Sequence, residues 1–202
     1  MLTLHRVTTL LADPTAPPVT DGAVLVQGTR IAGLGPYAEL AGAFPAARTR
    51  RWDGLLTPGL RNPCGHWLLE CAYHPDPREE IGAEPVPGLE LDETQAGASA
   101  RRGLQRMLGY GTTAVAGPFE RPAVRTAVAR SGLTALPGEG LAGPLDPLAT
   151  ATLAQAAHGR LTIGGPADFA VFEASGPAGP AVPRAGGALA TVLAGRLVFR
   201  RH

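Results

Sequence analysis

The sequence predicts an α/β protein in two parts: a small, sandwich-like β-domain drawn from both ends of the chain, and a middle segment of three to four βα units. Three observations carry this. Short apolar runs with period-two alternation sit at both ends, helical periodicity is confined to the middle, and 202 residues leave room for one large or two small cored domains.

The first 55 residues hold four strand-like runs, at 2–11, 22–27 (GAVLVQ), 30–33 and 50–55. Gly28 and Thr29 separate VLVQ from RIAGLG, where a tight hairpin with a positive-φ glycine belongs. The last stretch mirrors the first: 167–173 (ADFAVFE), 190–194 (ATVLA) and 196–200 (RLVFR) read as strands, with Gly195 punctuating the final pair. The two ends are therefore expected to share one sheet system.

In the middle, Ala100, Leu104, Met107 and Leu108 fall at spacings of three and four, predicting a helix over 96–110. TTAVA at 112–116 reads as a strand. A helix over 121–130 follows, with Pro122 suited to a first turn, and then a strand at 133–136. This is a βαβ rhythm. A last helix is expected over 148–157, stopped by Gly159. Residues 73–91, rich in Pro and acidic side chains, read as a long loop.

Composition narrows the function. The net charge is +1 and the Arg residues are scattered along the chain, which gives little basis for binding nucleic acid. No apolar run reaches the roughly 18 residues that cross a bilayer, and the first residues do not read as a signal peptide. A cytoplasmic protein without nucleic-acid or membrane partners is expected. The chain contains no Lys, which removes Schiff-base chemistry and a metal-bridging lysine carbamate. No glycine-rich nucleotide loop lies between a strand and a helix.

Three segments in order, GAVLVQGTRIAGL (22–34), LLTPGLRNPCGHWLLE (55–70) and GRLTIGGPADFAVFE (159–173), resemble the amidohydrolase superfamily, in particular its imidazolonepropionase-like branch; GLQRMLGYGTTAV (103–115) is similar to that family's helix and second strand. The resemblance implies a composite β-domain from 1–55 and 160–202 around a truncated barrel at 56–159. A closed eightfold βα barrel takes about 200 residues or more, so only a remnant fits. An open group of strands must have its edges covered by loops, by the β-domain or by another subunit, and oligomerisation follows as an expectation.

In that family two His two residues apart end the first barrel strand and bind metal. Here the positions hold Cys64 and His66, and the family's later ligands, two His and an Asp, have no matching text. His158 stands in a different context, and Asp146 is the one candidate relic of the late Asp. Asp168 is implied to be structural, as part of the return strand.

The densest chemistry is local. Cys64, His66, Cys71 and His74 form a C-x-H-x4-C-x2-H run whose two thiolates and two imidazoles match the donor count of a tetrahedral zinc. The plainer alternative makes the cysteines small apolar residues and His74 a loop residue. Glu70 and Asp76, with Glu79 and Glu80, could carry protons or simply be solvated. Trp67 and Tyr73 flank the cluster as pocket walls or as core, and Arg101, Arg102 and Arg106 form a basic helix face. Two functions follow. One is a non-hydrolytic binding or partner subunit, engaging a second copy, another protein or a small molecule. The other is a zinc-dependent hydrolase or deaminase of C–N bonds in a small cyclic or amidine-type substrate, with Cys64, His66, Cys71 and His74 on the metal and Glu70 or Asp76 moving protons.

Overall fold

A computed structural model describes residues 1–173 and 183–201. The N-terminal unit contains β1 (Leu2–Leu10), β2 (Val19–Gln27), β3 (Arg30–Pro36), the short helix α1 (Tyr37–Ala43) and β4 (Arg48–Pro58). After the middle segment, β10 (Phe169–Phe172), β11 (Ala190–Leu193) and β12 (Arg196–Arg200) return to the same sheet. The order is β12-β11-β10-β4-β1-β2-β3, antiparallel except for the β1–β4 pair. The two ends do form one sheet.

The sheet curls until its margins meet, which is how one sheet produces the sandwich-like form. Residues leading into β10 pair with the β2–β3 hairpin: Gly165 O accepts from Ile31 N at 3.0 Å, and Ala167 N donates to Thr29 O at 2.9 Å. Gly28 takes φ 61° at the hairpin, as expected, and its carbonyl abuts the β11–β12 turn so closely that a Cβ on Gly195 would lie 2.1 Å from it. Inside the curl, Val7, Val24, Val26, Ile31, Trp52, Phe169, Val171 and Val192 form one apolar cluster. The other face of β1 and β2 presents Leu4, Ala23 and Leu25 to Tyr37, Leu40 and Ala41 around α1. Burial on both faces explains why GAVLVQ reads as a near-continuous apolar run.

The middle segment supplies β5 (Leu60–Asn62), α2 (Glu93–Gly109), β8 (Thr112–Ala116), α3 (Pro122–Ser131) and β9 (Thr134–Leu136), with the three strands parallel in the order β5-β8-β9. A reciprocal cap opens α2: Asp92 Oδ1 accepts from Gln95 N at 2.8 Å, and Gln95 Oε1 accepts from Asp92 N at 3.0 Å. Ala96, Ala100, Leu104, Met107 and Leu108 of α2 pack with Val124, Ala127 and Val128 of α3 and with Val115 of β8. Three parallel strands and two helical crossovers match the lower end of the expected three to four units.

Two expectations are corrected. The long helix over 148–157 is a 3-10 turn (Pro147–Ala149) and one helical turn, α4 (Leu153–Ala156). Thr152 breaks it, because its backbone N–H and hydroxyl both donate to Gln155 Oε1 and start a new cap. The chain has already left helical geometry at Ala157, before Gly159. The loop at 73–91 is also partly ordered: Pro77–Glu79 form a 3-10 turn capped by Asp76, and β6 (Ala72–Tyr73) pairs with β7 (Val86–Pro87). No described helix is long and apolar enough to cross a membrane.

Candidate functional site

Parallel βα units present their variable chemistry where the strands end, because the chain must turn there from strand to helix. At the end of β5 the buried Asn62 fixes that turn. Its side-chain amide donates to the carbonyls of Pro144 (3.1 Å) and Leu145 (3.0 Å), while its Oδ1 accepts from Cys64 N at 2.8 Å. A strap, residues 137–145, thereby lies across the strand ends. A Cβ on Gly143 would sit 2.4 Å from Cys64 Sγ, and one on Gly140 would sit 3.1 Å from the His66 ring. Cys64 is buried beneath this strap, and burial pushes its thiol up.

His66 begins a single π-helical turn, Trp67–Cys71. Its Nδ1 lies 2.6 Å from Pro118 O and, since a carbonyl only accepts, carries the proton in that contact. Nε2 then faces Cys71 Sγ at 3.8 Å as an acceptor. Glu70 Oε2 is 3.7 Å from His66 Nδ1, but Glu70 Oε1 accepts from Arg121 N at 2.9 Å, at the start of α3. This carboxylate thus ties the turn to the residue that caps the N-terminus of α3. Cys71 is exposed, yet partial desolvation of its thiol, followed by the charges of Glu70 and Glu120, holds it above its ordinary range.

His74 goes elsewhere. It is fully buried under α2, its Nε2 donating to Leu68 O at 2.7 Å and its own backbone N–H donating to Ser99 Oγ at 2.8 Å. Burial, reinforced by Arg106 and Arg102, lowers its pKa to about 4. Asp76 caps the 3-10 turn, accepting from Arg78 N at 3.0 Å, on the exposed side of the loop. Of the six candidates, the structure brings His66, Glu70 and Cys71 together, buries Cys64 beside them under the strap, and separates His74 and Asp76. Glu70 and Cys71 stand at different nitrogens of the His66 ring and His74 turns to Leu68 O, so the four donors of the C-x-H-x4-C-x2-H run do not face one point, and among the described residues no three His, Cys, Asp or Glu side chains are arranged to hold a metal ion.

Other candidates are occupied with structure. Asp146 is largely buried, its Oδ1 accepting from Leu148 N and its Oδ2 from Gly186 N. Asp168 Oδ1 accepts from Ala194 N at 2.6 Å, holding the β11–β12 turn. Arg102 is more than an exposed face: its Nε donates to His74 O at 2.7 Å and its guanidinium stands 5.3 Å from the Tyr73 ring centre. Trp67 is packed against the helical core. Sequence reasoning missed Asn62, the Pro118 carbonyl and the strap. The one available signal was LPGEGLAGPL, whose small residues permit close approach to another segment.

Residues 22–47 match the family model for the imidazolonepropionase-like composite domain of bacteria. Among solved structures, guanine deaminase from Bradyrhizobium japonicum superposes with a TM-score of 0.50 and 18% identity, over 72% of this chain and 36% of that one. An adenosine deaminase from Xanthomonas campestris with bound zinc gives 0.48 and 20%, over 66% and 33%. An ochratoxinase from A. niger gives 0.47 and 19%, over 68% and 30%. The chain spans about a third of the length of these proteins. No curated protein matches. The amidohydrolase resemblance read from the sequence is borne out in the opening β-segment and in the fold, which is that of a shortened composite β-domain with a partial βα barrel.

Proposed function

We propose that this amidohydrolase-related chain is a non-hydrolytic binding or partner protein. One observation carries the reading: the strap pinned by Asn62 occupies the strand-end face where a βα enzyme would hold its metal and substrate, with Gly143 against Cys64 and Gly140 against His66. Glu70, the best-placed carboxylate, has one oxygen committed to the start of α3. The partner we favour is a second copy or another protein that covers the outer edge of β9, which pairs only with β8 among the described residues and is exposed at Thr134 and Ala135. Both cysteines are free thiols, which suits the reducing cytoplasm.

The rival reading is a zinc-dependent hydrolase or deaminase of C–N bonds, supported by the fold shared with a guanine deaminase. Purified protein grown with zinc should contain well under one equivalent of metal and release no ammonia from guanine or an amidine, while light scattering at micromolar concentration gives a mass above that of the monomer. Stoichiometric zinc lost on Cys64→Ala, together with ammonia release, would replace the first reading by the second. A monomeric mass would remove the second copy.

A further inference from the structure

The Arg residues that look scattered in the sequence are partly gathered by the curl of the sheet. Arg48, Arg50, Arg51 and Arg200 line a groove of about 290 Å³ together with Trp52 and Leu197. Arg48, Arg50 and Trp52 alternate along β4, so their side chains leave the strand on one side. From β12, Arg200 reaches over the indole, its guanidinium carbon 5.7 Å from the ring centre. That cation–π contact holds the guanidinium in the groove that Arg48 and Arg50 also line. Trp52 is itself held, because its Nε1 donates to His5 Nδ1 at 3.2 Å and the two rings lie nearly parallel at 9°.

Three of the four arginine charges in this groove are uncompensated. Arg51 has a partner in Asp53 at 3.3 Å, but both are largely exposed. Among the described residues, Arg48, Arg50 and Arg200 make no ion pair and no side-chain hydrogen bond to the protein, whereas Arg6, Arg102, Arg121 and Arg201 all have carboxylates. In a chain of net charge +1 this local excess is not the overflow of a basic protein. Guanidiniums sharing one groove repel one another unless an anion lies between them. Even the floor is kept free of added charge, since burial and then Arg50 lower the pKa of His5 to about 4.

We propose that this groove is a binding site for a phosphate group carried on an organic molecule. A carboxylate carries one negative charge and offers its acceptor sites in a single plane, whereas a phosphate group carries up to two charges and accepts from several directions, so it can engage three unpaired guanidiniums at once. The groove exceeds the volume of a phosphate several times over, leaving space beside Trp52 for an attached organic group. No residue of the strap lines the groove, and the site stands whether or not the chain is a hydrolase.

The test is calorimetric titration of the full chain with pyrophosphate and with acetate at low ionic strength. Pyrophosphate should bind and acetate should not. Arg50→Gln and Arg200→Gln should each weaken pyrophosphate about tenfold or more, as loss of a charge-assisted fork requires, while Arg101→Gln on α2 leaves it unchanged. Thermal melts verify folding. Arg200, at an exposed strand end, carries the test if Arg50→Gln melts early. Sedimentation with vesicles containing phosphatidic acid separates the two sources of the same chemistry: co-sedimentation assigns the groove to a lipid headgroup, and its absence assigns it to a soluble phosphate ester. Equal affinity in the wild type and both variants, equal binding of acetate, or tighter binding of an acidic peptide or a single-stranded oligonucleotide than of pyrophosphate would overturn the proposal.

Discussion

The curled sheet and the parallel βα segment bury similar kinds of apolar side chain but close in different ways. The sheet closes on itself: residues 164–167 hydrogen-bond the β2–β3 hairpin, and the interior is built on Phe169, Ile31 and their neighbours. The βα segment is left with strand ends and an edge, and it covers the ends with the strap pinned by Asn62. Asn62, Thr112, Thr113, Ser99 and His74 are all fully buried there, and His74 Nδ1, Thr112 Oγ1 and Thr113 Oγ1 lack partners. A self-closing sheet needs little but complementary packing. A partial barrel must satisfy backbone and side-chain groups that further strands would otherwise meet, and each unsatisfied group carries a cost of about 1–3 kcal/mol.

Acid should strike both regions at once, with the largest effect. His5 in the sheet and His74 in the βα segment are each held near pKa 4 when folded, below the ordinary 6.5. The unfolded chain therefore binds these protons first, and stability present above about pH 6.5 falls as the pH drops toward 4, by about 3 kcal/mol for each histidine. Chemical denaturation at pH 7 and pH 4 measures this loss. Replacing His5 or His74 with Gln should roughly halve the pH dependence, and an unchanged slope would show that the histidine is not buried neutral.

Next in size, Phe169→Ala opens a cavity in the sheet core and should cost about 4 kcal/mol by the same measurement. Asn62→Leu removes three hydrogen bonds at the strand-end face and should cost about 3 kcal/mol, leaving two strap carbonyls and the Cys64 amide without partners. If the strap is the βα segment's substitute for missing strands, this variant should also expose Cys64 to a maleimide that labels only Cys71 in the wild type. Labelling confined to Cys71 would show that the strap holds without its pin. Asp168→Ala, which frees one turn amide, should cost only about 1 kcal/mol, read as a small shift in the thermal midpoint.

Legibility in the sequence followed the same division. Strands were readable because β-branched and apolar alternation reports sheet burial directly, and Gly28 marked its hairpin through the φ > 0 that only a turn demands. The helices α2 and α3 were readable because each buries one face. The 148–157 helix failed because Thr152 offers its own cap, a local competition that apolar spacing does not register. At the site, spacing placed Cys64, His66, Cys71 and His74 within eleven residues, but proximity in sequence did not fix direction. The π-helical turn sends His66 toward Pro118, and burial draws His74 beneath α2. Asn62 escaped notice because its role depends on carbonyls more than 80 residues away.

The junction of the two hairpin turns at Gly28 and Gly195 has a bearing on biosynthesis. Until the last strands leave the ribosome, β4 has no neighbour on the side later taken by β10, and the rim of the curl stays open to water. The nascent polypeptide must therefore carry an unfinished, sticky sheet through the synthesis of about a hundred intervening residues, and it is during this interval that chaperones have the most to protect.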